Sequence, residues 1–128
     1  MSADPLATVL ALLAAENAHD VDAAVALFAP DATVDLALET RTGTAEIRAW
    51  QQELAAGHFY MEMLGAPEVA GDRVRFQNRL DLDLFKQMGL GTVEGVSTAR
   101  VRDGKIIEYT FALTPESVAR LQAAAPAS

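Results

Sequence analysis

The residues most able to do chemistry lie on one stretch of alternating sequence. From Arg73 to Phe85 every second position reads Arg73, Arg75, Gln77, Arg79, Asp81, Asp83, Phe85. In a strand these share a face, so Arg79 stands one pleat from Asp81, and Asp83 follows one pleat further on. A guanidinium beside a carboxylate holds it ionised and oriented, as acid–base work requires. Asp35 and Glu62 are weaker acids of the same kind, each in a short β-rich segment. Other chemistries are poorly supplied. With no cysteine there is no thiolate nucleophile, zinc–thiolate site or disulfide framework. His19 and His58 form no spaced metal motif, so neither metal nor cofactor is expected. His19 falls in a connection between helices and His58 at a strand start, and both are read as surface residues.

Composition bounds the partners. The chain has 128 residues, 51% of them hydrophobic and 22% charged, which fits one globular domain over 1–128. A net charge of −8 argues against a phosphate-binding surface and hence against nucleic acid. No 18-residue apolar run is present, so no membrane partner is expected and the protein is read as soluble and cytoplasmic.

Several elements must position these residues. Leu6, Val9, Leu10 and Leu13 have the spacing of a helical stripe over about 6–18, with Pro5 in the first turn. Asp20 is a cap for a second helix over 21–29, stopped by Pro30. Segment 32–38 reads as a strand, Arg41–Gly43 as a turn, and 44–56 as a third helix with Ile47, Trp50 and Leu54 on its apolar side. Gly57 is expected to end that helix in the left-handed conformation. Strands follow at 58–64, 73–85, 92–102 and 105–113, the last two joined by the hairpin dipeptide Asp103-Gly104. Thr114-Pro115-Glu116 opens a short last helix, and 123–128 reads as a frayed tail. Helices first and then antiparallel strands define an α+β domain.

In "ENAHDVDAAVALFAPDATVDL", "TGTAEIRAW" and "VRDGKIIEYTF" the chain resembles the SnoaL-like branch of the nuclear-transport-factor-2-like (NTF2-like) superfamily over about 6–121. The resemblance implies a cone of curved antiparallel sheet closed by three helices around an apolar pocket, and ligands that are small apolar molecules. Family members include ketosteroid isomerases, epoxide hydrolases, polyketide cyclases and non-catalytic binding modules, so the fold leaves function open. Ketosteroid isomerase chemistry needs a tyrosine and two acids, at positions occupied here by Leu12, Leu36 and Ser97. Limonene-type epoxide hydrolysis uses an Arg-x-Asp pair, matched by Arg79-Leu80-Asp81. Its second aspartate position is Phe111, and its water-positioning residues fall on Val34 and Leu36. Polyether-type epoxide opening uses two acids, placed one residue from Asp35 and Glu62.

Pattern alone puts Val74, Phe76, Asn78, Leu80, Leu82 and Leu84 inside and the charged face in water. The resemblance implies the reverse, with Arg79 and Asp81 lining the pocket and Phe76, Leu80, Leu82 and Leu84 turned outward as a homodimer patch. The expectation adopted is the second. The pocket is then expected to include Val34, Leu36, Trp50, Gln77, Ser97, Tyr109 and Phe111, with Met61, Met63 and Met88 as fillers. Glu94 and Arg100 are read as surface charges. The function expected is acid–base catalysis on an apolar molecule, of the epoxide hydrolase, isomerase or cyclase class, by Arg79 and Asp81. The alternative is a non-catalytic ligand-binding or dimerisation module that has lost its acids.

Overall fold

The structure is a computed structural model that describes residues 4–36 and 39–124. Asp4 caps the first helix, α1 (Pro5–Asn17), its carboxylate accepting from the Leu6 amide at 3.0 Å. Asp20 caps α2 (Val21–Ala26) through the Ala23 amide at 3.1 Å. That helix is shorter than expected. Its last turn gives way at Leu27, and Pro30 lies inside strand β1 (Phe28–Asp35) rather than stopping a helix. Ala37 and Leu38, the expected end of that strand, lie outside the described residues. The expected turn at Arg41 is instead a short strand, β2 (Thr40–Thr42), paired antiparallel to β1.

Helix α3 (Gly43–Ala56) buries Ile47, Trp50 and Gln51. Its C-terminal Gly57 has φ −88°, so the left-handed reading of this glycine is corrected; His58 takes that conformation, at φ 57°. Gly57 has a steric reason instead, because a Cβ there would come 2.8 Å from Leu82 Cδ1. The next strand, β3 (Tyr60–Ala70), runs on through Gly65–Pro67, its register shifting between Leu64 and Glu68. A bulge absorbs the residues that looked like a break.

Strand β4 (Arg73–Asp81) ends earlier than the alternation predicts. Leu82 turns the chain, and Asp83–Gln87 form a single helical turn, α4. Strands β5 (Val93–Arg102) and β6 (Lys105–Leu113) follow, joined at Asp103 and Gly104 with φ 53° and 76°. Two positive φ values are what a two-residue hairpin with the strands' own twist requires. Helix α5 (Pro115–Ala124) starts where the Thr114 hydroxyl accepts from the Ser117 amide at 3.2 Å.

The six strands form one curved sheet in the order β2-β1-β6-β5-β4-β3. All neighbours are antiparallel except β1 and β6, which run parallel. The inner face carries the core. Val34, Val74, Ala99 and Ile106 are buried there in one cluster with Val9 and Leu12 of α1 and Ile47 of α3. Burial along β4 alternates without exception from Arg73 to Leu80, with Val74, Phe76, Asn78 and Leu80 inside. No described helix is long and apolar enough to cross a membrane.

Candidate functional site

Between the sheet and the helices lies a cavity of about 830 Å³, within the size range of pockets for small molecules. Its walls are nearly all apolar. Strands contribute Met61, Leu80, Tyr109, Phe111 and Leu113, and α3 contributes Trp50 and Leu54. Leu84, Phe85 and Met88 of the α4 segment cover one side, Val118 and Leu121 of α5 another. Phe111 owes its place to Gly95 on the neighbouring strand. A Cβ at Gly95 would sit 2.4 Å from Phe111 Cε1, so glycine leaves the room that the ring occupies beside β5.

Three polar side chains break this lining: Glu16, Tyr109 and, toward α5, Gln122. Glu16 is placed by the helical stripe itself, since Val9, Leu12, Leu13 and Glu16 follow one another at intervals of three, one and three. The next residue locks the end of the helix. Asn17 donates from Nδ2 to the Met61 carbonyl at 2.9 Å and accepts from the Met61 amide at 2.8 Å, fastening α1 to the start of β3. That clamp fixes the helix end from which Glu16 projects.

Glu16 is 5% exposed. Gln51 of α3, also buried, donates from Nε2 to Glu16 Oε2 at 2.8 Å, while Oε1 has no protein partner. Burial pushes the Glu16 pKa up to about 7, and the Gln51 hydrogen bond opposes that rise without cancelling it. Tyr109 lies 2.9 Å, hydroxyl to hydroxyl, from Ser97, whose Oγ also accepts from Asn78 Nδ2 at 2.7 Å. All three are buried. Burial first, and then the nearby Glu16 charge, raise the Tyr109 phenol well above its ordinary range, against a smaller opposing effect of Ser97. Tyr109 thus stays protonated and is a hydrogen-bond donor at neutral pH. The Tyr109 hydroxyl donates to Ser97 Oγ, whose second lone pair takes the Asn78 amide proton, so a ligand oxygen in the cavity would compete with Ser97 for the phenol proton. A titratable carboxyl and a neutral donor then face one apolar space.

The acids expected from the sequence are elsewhere. Arg79 lies on the outer face of the sheet between Glu62 of β3, at 3.3 Å, and Glu94 of β5, at 3.6 Å. Asp81 pairs with Lys86 at 3.5 Å, Asp83 with His58 at 2.6 Å, and exposed Asp35 with Thr40 at 3.5 Å. None of Arg79, Asp81, Asp83, Asp35 and Glu62 lines the cavity, which corrects the expectation that Arg79 and Asp81 face it. Strand periodicity is the reason, because Leu80 points in and its neighbours must point out. Gln77 is on the outer face for the same reason. Of the other expected pocket residues, Leu36, Trp50, Tyr109 and Phe111 line the cavity, Ser97 stands behind Tyr109, and Val34 is packed in the core. The outward apolar patch is overturned too. Phe76 and Leu80 are buried in the core, while Leu82 and Leu84 border the cavity. Met61 and Met88 do line the cavity, and Met63 packs against the core. Glu94 and Arg100 lie in surface ion pairs. Among the described residues, no group of three or more His, Cys, Asp or Glu could hold a metal ion.

Glu16 was the residue that sequence reasoning missed. Its signal was present, as a carboxylate on the buried stripe of an otherwise apolar helix.

The cone of curved sheet around such a cavity is the architecture of NTF2-like proteins. The chain matches the model of the SnoaL-like domain over residues 9–109 and belongs to that family. Among solved structures it is similar to the epoxide hydrolase/cyclase-like enzyme SalBIII of pyran ring formation in polyether salinomycin. The TM-score is 0.78 at 18% identity, covering 88% of this chain and 92% of that one. A second is a protein with a ketosteroid isomerase-like fold from Catenulispora acidiphila, in complex with trimethylamine (TM-score 0.70, 23% identity, 87% and 88% covered). A third is an NTF2-like protein from Cytophaga hutchinsonii (TM-score 0.73, 14% identity, 92% and 96% covered). At these identities the likeness is one of fold. No curated protein matches the sequence.

Proposed function

We propose that this protein binds an apolar small molecule bearing one oxygen function in the cone and moves a proton on it, with Glu16 as acid–base group and Tyr109 as donor to the oxygen. The observation that carries this reading is the Glu16 carboxyl, buried at the wall of an apolar cavity of about 830 Å³, with its pKa near 7 and one oxygen unpartnered. A group that titrates near the working pH both takes and gives a proton. An ionised Glu16 would remove a proton from a carbon or hydroxyl of the ligand, while Tyr109 hydrogen-bonds the oxygen where negative charge develops.

Within the expected class, this favours isomerisation or cyclisation over hydrolysis by two acids. Among the described residues, Glu16 is the one carboxylate lining the cavity. Similarity to an epoxide hydrolase/cyclase-like enzyme and to a ketosteroid isomerase-like fold is consistent with that class. The test is turnover of a panel of apolar ketones, enones and hydroxy-epoxides by wild type and Glu16→Gln. Turnover by the wild type that falls at least about 100-fold in the variant supports the reading, and equal turnover by both removes Glu16 from it.

A second reading, a non-catalytic binding module, is favoured by the Gln51 hydrogen bond, which occupies one oxygen of the single carboxyl. It expects saturable binding of the same molecules with no turnover.

A further inference from the structure

The segment between β4 and β5 covers the cavity yet is weakly held. Its turn of helix has no buried residue, and Leu84, which borders the cavity, is 55% exposed. Its far end is fixed: Leu90 is buried, and Arg120 donates to the carbonyls of Leu90 and Thr92. Just before that anchor stand Gly89 and Gly91, at φ 76° and 68°, with open space around each. Glycines so placed allow the backbone to swing. At its near end the segment is tied to the end of α3 by two bonds. The Asp83 amide donates to the Gly57 carbonyl at 2.9 Å, and Asp83 Oδ2 meets His58 Nδ1 at 2.6 Å.

The geometry points to a latched strap: residues 83–88 close the cavity mouth, swing on Gly89 and Gly91, and are held shut by the His58–Asp83 pair. This goes beyond the proton-transfer reading and stands whether or not Glu16 reacts. The groups facing His58 are Asp83 from α4 and His19 from the connection after α1, whose ring lies 6.3 Å away centroid to centroid. His19 is itself held, its Nε2 donating to the Phe59 carbonyl at 2.9 Å. Asp81 and Lys86 pair with each other at the root of the strap. The His58–Asp83 contact at 2.6 Å is the shorter of the two ties between the strap and the end of α3. An exposed pair of this kind shifts an opening equilibrium by about fivefold at most, enough for a gate and too little to hold a fold.

Trp50 reports on it. It is the sole tryptophan, it is 8% exposed, and it lines the same cavity as the strap. Acrylamide quenching of its fluorescence is measured at one fixed pH. The set is wild type, Asp83→Asn, His58→Asn, and Glu16→Gln; asparagine tolerates the left-handed backbone of position 58. The quenching constant is expected to be about two- to fivefold higher in both latch variants than in the wild type. It should stay at the wild-type value in Glu16→Gln. Latch variants that match the wild type overturn the latch. So does an equal rise in Glu16→Gln, which would place the change in the cavity and not at the latch.

Discussion

Gln51 donates one hydrogen bond to Glu16 Oε2 at 2.8 Å and leaves Oε1, equally buried, without a partner. A buried carboxylate normally gathers several donors, and each one lowers its pKa. Here a single amide works against full burial, and burial wins.

Stability should therefore depend on pH through this one group. Its pKa is about 7 in the folded protein against an ordinary 4.5, so the folded state binds the proton more tightly between those values. Stability is full below the lower value, falls as pH rises, and has lost about 3 kcal/mol once the upper value is passed. Urea unfolding from acid to alkaline pH should show this decline in the wild type. Glu16→Gln should flatten it and be the more stable protein above neutrality. An identical decline in both would place its origin elsewhere.

Among the described residues Gln51 is the one donor to the Glu16 carboxylate, and Gln51→Leu removes it. The Glu16 pKa should rise further, and the ionised protein should lose about 1–3 kcal/mol at alkaline pH. Any base-catalysed activity should move its acid limb to higher pH. A carboxyl titration unchanged by the substitution would show that Gln51 does not tune it.

Gly95→Ala would place a Cβ 2.4 Å from Phe111 Cε1 and 2.8 Å from the Ala112 carbonyl oxygen. The Ala112 carbonyl belongs to the strand backbone and cannot yield, and the ring can do so only by moving into the cavity it lines. The expected loss is about 1–3 kcal/mol, read as a lowered melting temperature, with weaker binding of apolar probes. A neutral result would mean the Phe111 wall is soft.

Asp81→Asn and Arg79→Ala should leave ligand binding and any turnover intact and change stability by no more than about 1 kcal/mol, as for other exposed pairs. Loss of turnover in Asp81→Asn with an unchanged melt would restore the outer-face acids to the mechanism.

The contrast with Glu16 shows how far the sequence could be read. The Asp103-Gly104 hairpin, the caps at Asp20 and Thr114, and the stripe of α1 all follow from local chemistry and lie where local chemistry puts them. On β4 the simple alternation, with Val74, Phe76 and Leu80 inside, was the correct guide, and family resemblance pointed the wrong way. The chain's turn at Leu82 was not legible, because Leu82 and Leu84 continue the alternation. What ends the strand is long-range, the approach of Gly57 and its carbonyl's bond to the Asp83 amide. Asn78, Ser97 and Tyr109 come from three neighbouring strands, and only the register of the sheet brings them together. Glu16 was legible in principle, since an acid on a buried helical stripe needs a reason.

Tyr109→Phe separates binding of an oxygen from burial of a ring. The variant keeps the ring against Trp50, whose centroid is 6.1 Å away, and loses only the hydroxyl beside Ser97. Stability should change by about 1 kcal/mol. Affinity for apolar ketones should fall about tenfold, with affinity for the matching hydrocarbons unchanged, as titration calorimetry would show. Equal losses for both ligand series would mean that the phenol contacts no ligand oxygen.

The most direct measurement is the titration of the Glu16 carboxyl carbon by NMR, its signal assigned by its absence from Glu16→Gln. A midpoint near 7, moved upward in Gln51→Leu, is expected of a buried acid–base group at the cavity wall. A midpoint near the ordinary 4.5 would mean that water reaches this carboxylate in solution, and Glu16 would have no claim to proton transfer near neutral pH.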